Sequence, residues 1–116
     1  MFETTSRDRH LRQQRSQQAL GVLLEHGYEQ GLPALTWTVA VTGALVGDVD
    51  TLNGTQAEKR AAFDAWVDYL GGNRWQEYTN VAGRTHLHAQ FTWAGDERVR
   101  GAIRADIWPD DETPTS

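Results

Sequence analysis

Between positions 84 and 108 the chain alternates so strictly that it reads as two strands whose faces differ chemically. In the first run Leu87, Ala89, Phe91 and Trp93 fall on one side, and Arg84, His86, His88, Gln90 and Thr92 on the other. In the second, Val99, Gly101, Ile103, Ala105 and Ile107 oppose Arg98, Arg100, Arg104 and Asp106. A period of two is that of a half-buried antiparallel strand, whose successive side chains point to opposite faces. One face must therefore close a core. The other presents arginine and histidine inside a chain of net charge -5.

The connection between the runs sets their register. Only an odd loop at Ala94-Gly95-Asp96, of three residues or five if it frays, puts Phe91 and Val99 on the face of Leu87 and Ile103. A two-residue turn would set Phe91 opposite Arg100. The odd loop predicts one surface shared by Arg84, His86, His88, Arg98, Arg100 and Arg104, with Thr92 and Trp108 on the same side and Asp106 as the only offset.

Upstream, Leu20, Leu23, Leu24 and Tyr28 form a stripe at helical spacing. It predicts a helix over about 6–30, closed by Gly31 with Pro33 just beyond. The first fifteen residues are polar and hold Arg7, Arg9, Arg12 and Arg15, so only the second half of this helix is expected to pack well. Leu35, Trp37, Val39 and Val41 alternate with Thr36, Thr38 and Ala40 as a strand; Gly43 marks a tight turn, and 44–49 returns as a second strand. Asp48 and Asp50 lead into a loop at Asn53-Gly54. Thr55 and Glu58 then form a capping box, in which each side chain satisfies the other residue's amide. The helix behind it carries Ala62, Phe63, Trp66, Tyr69 and Leu70 on one side and stops at Gly71-Gly72. A strand over 75–81 precedes the two alternating runs. Pro109 ends the sheet, and 109–116, with Asp110, Asp111 and Glu112, reads as a disordered acidic tail. The expectation is a single α+β domain over 1–116 in the order α-ββ-α-βββ. It is a two-layer sandwich, with an antiparallel sheet of about five strands and at least one helix on its apolar face.

Composition narrows the function classes. A chain of 116 residues supports one core. No cysteine is present, which removes disulfides, thiolate nucleophiles and cysteine-based zinc sites. No apolar run approaches the roughly 20 residues needed to cross a bilayer, and the polar start does not read as a signal peptide. The expectation is a cytoplasmic protein with no membrane partner. Lys59 is the sole lysine beside ten arginines, a bias that GC-rich codon usage explains. The negative net charge argues against nucleic-acid binding by the whole surface, though not by a local basic face.

Candidate chemistry is thin. His86 and His88, two apart on a strand, point the same way, and a hairpin turning on Ala82-Gly83 would set Glu77 across from His88 to complete a two-histidine, one-carboxylate set. Either allowed register also puts Arg104 directly beside His86 or His88. A guanidinium about 5 Å from a dication is repelled by several kcal/mol at an effective dielectric near 20. No metal ligand and no cofactor is therefore assigned. Serine occurs only at Ser6, Ser16 and Ser116, with no nucleophile elbow, Walker loop or dinucleotide-binding glycine pattern. Lys59, in the first turn of its helix, is expected to be solvated, and Asp48 and Asp50 read as turn formers. No catalytic residue is assigned.

Five tryptophans remain. Trp37, Trp66, Trp75 and Trp93 are assigned to the core; if room runs out, Trp75 or Trp108 is the one left outside, where tryptophan marks an interface. The succession Leu35-Thr36-Trp37-Thr38-Val39, then 60–66 with Phe63 and Trp66, then Ala105-Asp106, resembles small α+β proteins of actinobacteria and their phages and mobile elements. The likeness spans about 32–108, and the group offers no activity to carry over. The leading expectation is a non-enzymatic binding or adaptor protein acting through a protein partner or self-association as a dimer. Its partner-binding residues are Arg84, His86, His88, Arg98, Arg100, Arg104 and Trp108. The alternative is a small nucleic-acid-binding regulator using the same face with the helix carrying Arg7 to Arg15. A weaker one is a metal-dependent enzyme at the His-x-His strand.

Overall fold

Both helices begin at reciprocal caps. The computed structural model describes residues 5–50 and 53–109. In α1 (Ser6–Glu29) the Thr5 hydroxyl accepts from the Asp8 amide, while the Asp8 carboxylate accepts from the Thr5 N–H. In α2 (Gln56–Leu70) Thr55 and Glu58 do the same, as their spacing predicts. These exchanges satisfy amides that a helix start otherwise leaves open. α2 closes at Gly71, whose φ of 66° is the left-handed cap that glycine adopts without strain.

The stripe by which α1 packs is not the one its leucines suggest. Ser16, Ala19, Leu23 and Gly27 are buried, whereas Leu24 is 46% and Tyr28 88% exposed. Close approach decides this. A Cβ on Gly27 would sit 2.8 Å from the Trp66 ring, so the small residues form the contact face and the bulkier Tyr28 is turned outward.

The sheet contains β1 (Thr36–Val39), β2 (Leu45–Asp48), β3 (Asn73–Arg74), β4 (Tyr78–Thr79), β5 (Thr85–Thr92) and β6 (Arg100–Ile107). Its order is β1-β2-β6-β5-β3, with β4 also paired to β5. The described residues are thus mixed α+β, with two helices and a six-stranded sheet. The expected all-antiparallel sheet needs one correction, because β2 runs parallel to β6. A parallel join needs a long crossover, and α2 with β3, β4 and β5 supplies it. Alternation in β2 and β6 looks the same whichever way the strands run, so the pattern could not reveal the join.

Between β5 and β6 the expected register holds. Phe91 pairs with Gly101, His88 with Arg104 and His86 with Asp106. The Trp93 amide donates to the Val99 carbonyl at 2.8 Å, so the connection is the wider odd loop, 94–98. Leu87, Ala89, Phe91, Val99, Ile103, Ala105 and Ile107 are all buried. They share one core with Leu23, Leu45, Val49, Phe63, Trp66 and Val67. Trp66 sits at its centre, edge-on to Trp37 and Tyr69, with its indole N–H donated to the Pro33 carbonyl at 2.6 Å.

The strand expected over 75–81 is broken. Arg74 pairs with Ala89 and the Trp75 amide reaches the His88 carbonyl, yet Tyr78 pairs with His86. One extra residue therefore lies within 75–77, a bulge between two short ladders. Both β-hairpins that flank β1 and β5 use the same three-residue turn. Gly43 and Gly83, each at φ 89°, donate to Ala40 and Asn80 respectively, and the Ala40 and Asn80 amides donate to Ala44 and Arg84. Glycine at a positive φ in the third turn position is what such a loop requires. Lys59 departs from expectation too. It is only 5% exposed, its stem buried within the first turns of α2. The acidic tail expected after Pro109 lies outside the described residues.

Candidate aromatic and arginine surface

The face of the sheet opposite the core is the candidate site. β5 contributes His86 and His88, the residue before it Arg84, β6 Arg104 and Asp106, and the residue after it Trp108. The bulge adds two aromatics. Trp75 stacks on His88 with ring centroids 4.1 Å apart, and Tyr78, directly opposite His86, shares its face. Trp75 is 54% exposed, Tyr78 66% and Trp108 44%. Arg84 lies over the Trp108 ring, 5.6 Å from its centroid, a cation–π contact. Trp108 is held from behind as its amide donates to the Gln56 side chain at 2.9 Å.

Sequence alone misses Trp75 and Tyr78 as a pair. Residues three apart occupy opposite faces of a regular strand, and only the extra residue between them brings both outward. That signal resides in the register, which the sequence does not display. Of the four tryptophans assigned to the core, Trp75 is the one that leaves it.

The positive plateau expected here is electrically balanced. Arg104 grips Asp48 with two N–H donors, at 3.1 and 3.3 Å. Asp48 is therefore not a turn former; the parallel join sets it in β2 directly beside Arg104. Asp106 takes the His86 ring at 2.8 Å and lies 3.9 Å from Arg84. Two carboxylates thus face two arginines, where the sequence suggested one. Burial, with His86 and Arg104 nearby, lowers the His88 pKa below that of an ordinary imidazole, which favours its neutral form. Its Nε2 is buried and has no hydrogen-bond partner.

Arg98 and Arg100 sit at the end of this surface, away from its aromatic residues. Arg98 lies in the loop before β6 and is clasped by Asp96 through two bonds of 2.9 Å. That pairing holds the Asp96 carboxyl down at about 2. Arg100 opens β6 at the far end from Trp108, and both arginines line a cleft with Arg12 and Arg15 of α1. The structure thus divides the seven predicted residues, five on the outer face and two at its end.

The metal set is not assembled either. Glu77 faces away from His88 and forms a two-pronged pair with Arg60 at 2.9 and 3.3 Å. The three-residue turn, rather than one on Ala82-Gly83 alone, and the bulge displace it from the expected position. Among the described residues no group of three or more histidine, cysteine or acidic side chains is placed to hold a metal ion. Among them, too, no helix is long and apolar enough to cross a membrane. No protein-family model, curated protein or solved structure matches this chain.

Proposed function

We propose that this chain is a non-enzymatic binding protein that docks a protein surface, a second copy of itself or another chain, with the outer face of its sheet. The helices are taken as one layer and the sheet as the other, which leaves that face open. One observation carries the reading. Trp75, Tyr78 and Trp108 stand exposed around a floor of histidines and paired charges. Exposed tryptophan, tyrosine and arginine are the residues that dominate binding energy at protein interfaces. A balanced floor suits a protein partner, since it needs no surplus of opposite charge.

The test is sedimentation of the purified chain from low to high micromolar concentration, beside the double variant Trp75→Ala/Trp108→Ala. A dimer that the variant loses supports self-association. If the chain stays monomeric, capture of proteins from the native host by the wild type and not by the variant supports a foreign partner. Equal capture by both would sink the proposal.

The exposure of Trp75 also favours a second reading, a small nucleic-acid-binding regulator. Stacking aromatics on a sheet bind single strands when cations track the backbone. Here Arg84 and Arg104 are already paired, so phosphate contacts would have to come from Arg100 at the end of the sheet and from Arg7 to Arg15 of α1. This reading predicts oligonucleotide affinity falling steeply between about 50 and 200 mM salt. No shift at low salt removes it.

A further inference from the structure

We propose that the cleft at the starting ends of β2 and β6 binds a compact polyphosphate group. This site is separate from the aromatic face and does not depend on it. Arg12 and Arg15, one turn apart on α1, form one wall, and Arg98 and Arg100 form the other. The β1–β2 turn at 42–44 closes the floor of a cleft of about 410 Å³.

The walls are fixed in place. The Ser16 hydroxyl donates to the Gly43 carbonyl, and the Gln13 amide side chain donates to the Ala40 carbonyl at 3.2 Å. A Cβ on Gly43 would come within 3.0 Å of the Arg12 Cβ, so the helix and turn are in close contact. Asp96 braces Arg98 through its side chain and accepts from the Arg98 backbone N–H as well. The helix, turn and loop that carry the arginines are thereby held around a common space.

Charge sets the ligand class. Among the described residues Arg12, Arg15 and Arg100 form no ion pair; Asp96 is paired directly with Arg98 and acts on Arg15 only at longer range. Four guanidinium groups with one carboxylate leave a local surplus of about three positive charges in a chain of net charge -5. Guanidinium groups only donate, so their ligand must offer acceptors on every side. Phosphate does this, and arginine matches it with paired N–H donors. The Thr42 hydroxyl accepts from the Ala44 amide, which leaves its own proton for one more acceptor. A single carboxylate would answer only part of the surplus, whereas a linked di- or triphosphate answers most of it.

Calorimetric titration of the full chain with sodium tripolyphosphate and with adenosine triphosphate, at matched ionic strength, tests the proposal. The expected result is one-to-one binding, weakened at least tenfold in Arg12→Gln and in Arg100→Gln while their circular dichroism is unchanged. Trp75→Ala/Trp108→Ala should bind tripolyphosphate as the wild type does, which separates this site from the docking face. Equal affinities identify the phosphate chain itself as the ligand; tighter binding of the nucleotide identifies a nucleotide. Should either variant fail to fold, Arg15→Gln serves in its place. Tripolyphosphate that binds no better than chloride, or binds equally to the variants, overturns the proposal. So does binding seen only with a long oligonucleotide.

Discussion

The outer face of the sheet and the cleft at its end are built from the same residue type and differ in charge. On the face, Arg104 and Arg84 meet Asp48 and Asp106, and the guanidinium groups are spent inside the molecule. In the cleft, Arg12, Arg15 and Arg100 form no ion pair among the described residues, and the one carboxylate nearby, Asp96, is clasped by Arg98. Counting arginines along a strand therefore says little about the potential above it. What decides is whether the neighbouring element brings a carboxylate into register, and that neighbour is set by topology.

The harshest way to break this contrast is at the parallel join. A Cβ on Gly101 would collide with the Leu45 carbonyl oxygen and the Phe91 ring. Gly101→Val should force β2 from β6, freeing Arg104 from Asp48 and disturbing the cleft floor together. The expected cost is at least about 3 kcal/mol, read as a lower urea midpoint. A midpoint unchanged from wild type would mean the join is not what ties the two regions together.

Next in size is a conversion. If paired carboxylates are what distinguish the face from the cleft, Asp48→Asn/Asp106→Asn should make the face cationic. Single-stranded oligonucleotide affinity at low salt is expected to rise about tenfold, roughly 1.4 kcal/mol, with a steeper dependence on salt. Fluorescence anisotropy measures both, and an unaltered affinity would show that the pairs do not control the surface.

A smaller effect concerns the bulge that turns Trp75 outward. Arg60 and Glu77 are 42% and 51% exposed, so their pair is well screened. Glu77→Gln should cost no more than about 1 kcal/mol by denaturant melting. A larger loss would mean that this pair holds the bulge, and with it Trp75, in place.

The least effect is a pH slope. The folded-state pKa of His88 is lowered, first by burial. An unfolded chain then takes up a proton near pH 6.5 that the folded one resists. The stability tied to this group is complete above that pH and is lost as pH falls through it. Urea midpoints between pH 7.5 and 5.5 should decline in the wild type and decline less in His88→Gln. Identical slopes would show that His88 does not titrate differently in the two states.

Several elements were legible because their signals are local. Thr55 with Glu58, Gly71 after Leu70, and the alternation over 85–107 each act within a few residues, and each appears where the sequence put it. The outer positions of Arg84, His86, His88, Arg104 and Trp108 followed from the same alternation. The packing face of α1 did not, because Trp66 selects it by fitting against Gly27, an event between residues distant in sequence. The grouping of Arg98 and Arg100 with Arg12 and Arg15 was hidden for a like reason, since it depends on where α1 docks.

By itself, then, the sequence determined which side of each long strand is apolar and where both helices start and stop. Period, caps and glycine conformations are properties of short segments. Only the tertiary structure decided that β2 lies beside β6, that a bulge presents Trp75 and Tyr78 together, and that some arginines are neutralised while others are not. Those outcomes depend on contacts between segments far apart in the chain, and no short pattern encodes which segments will meet.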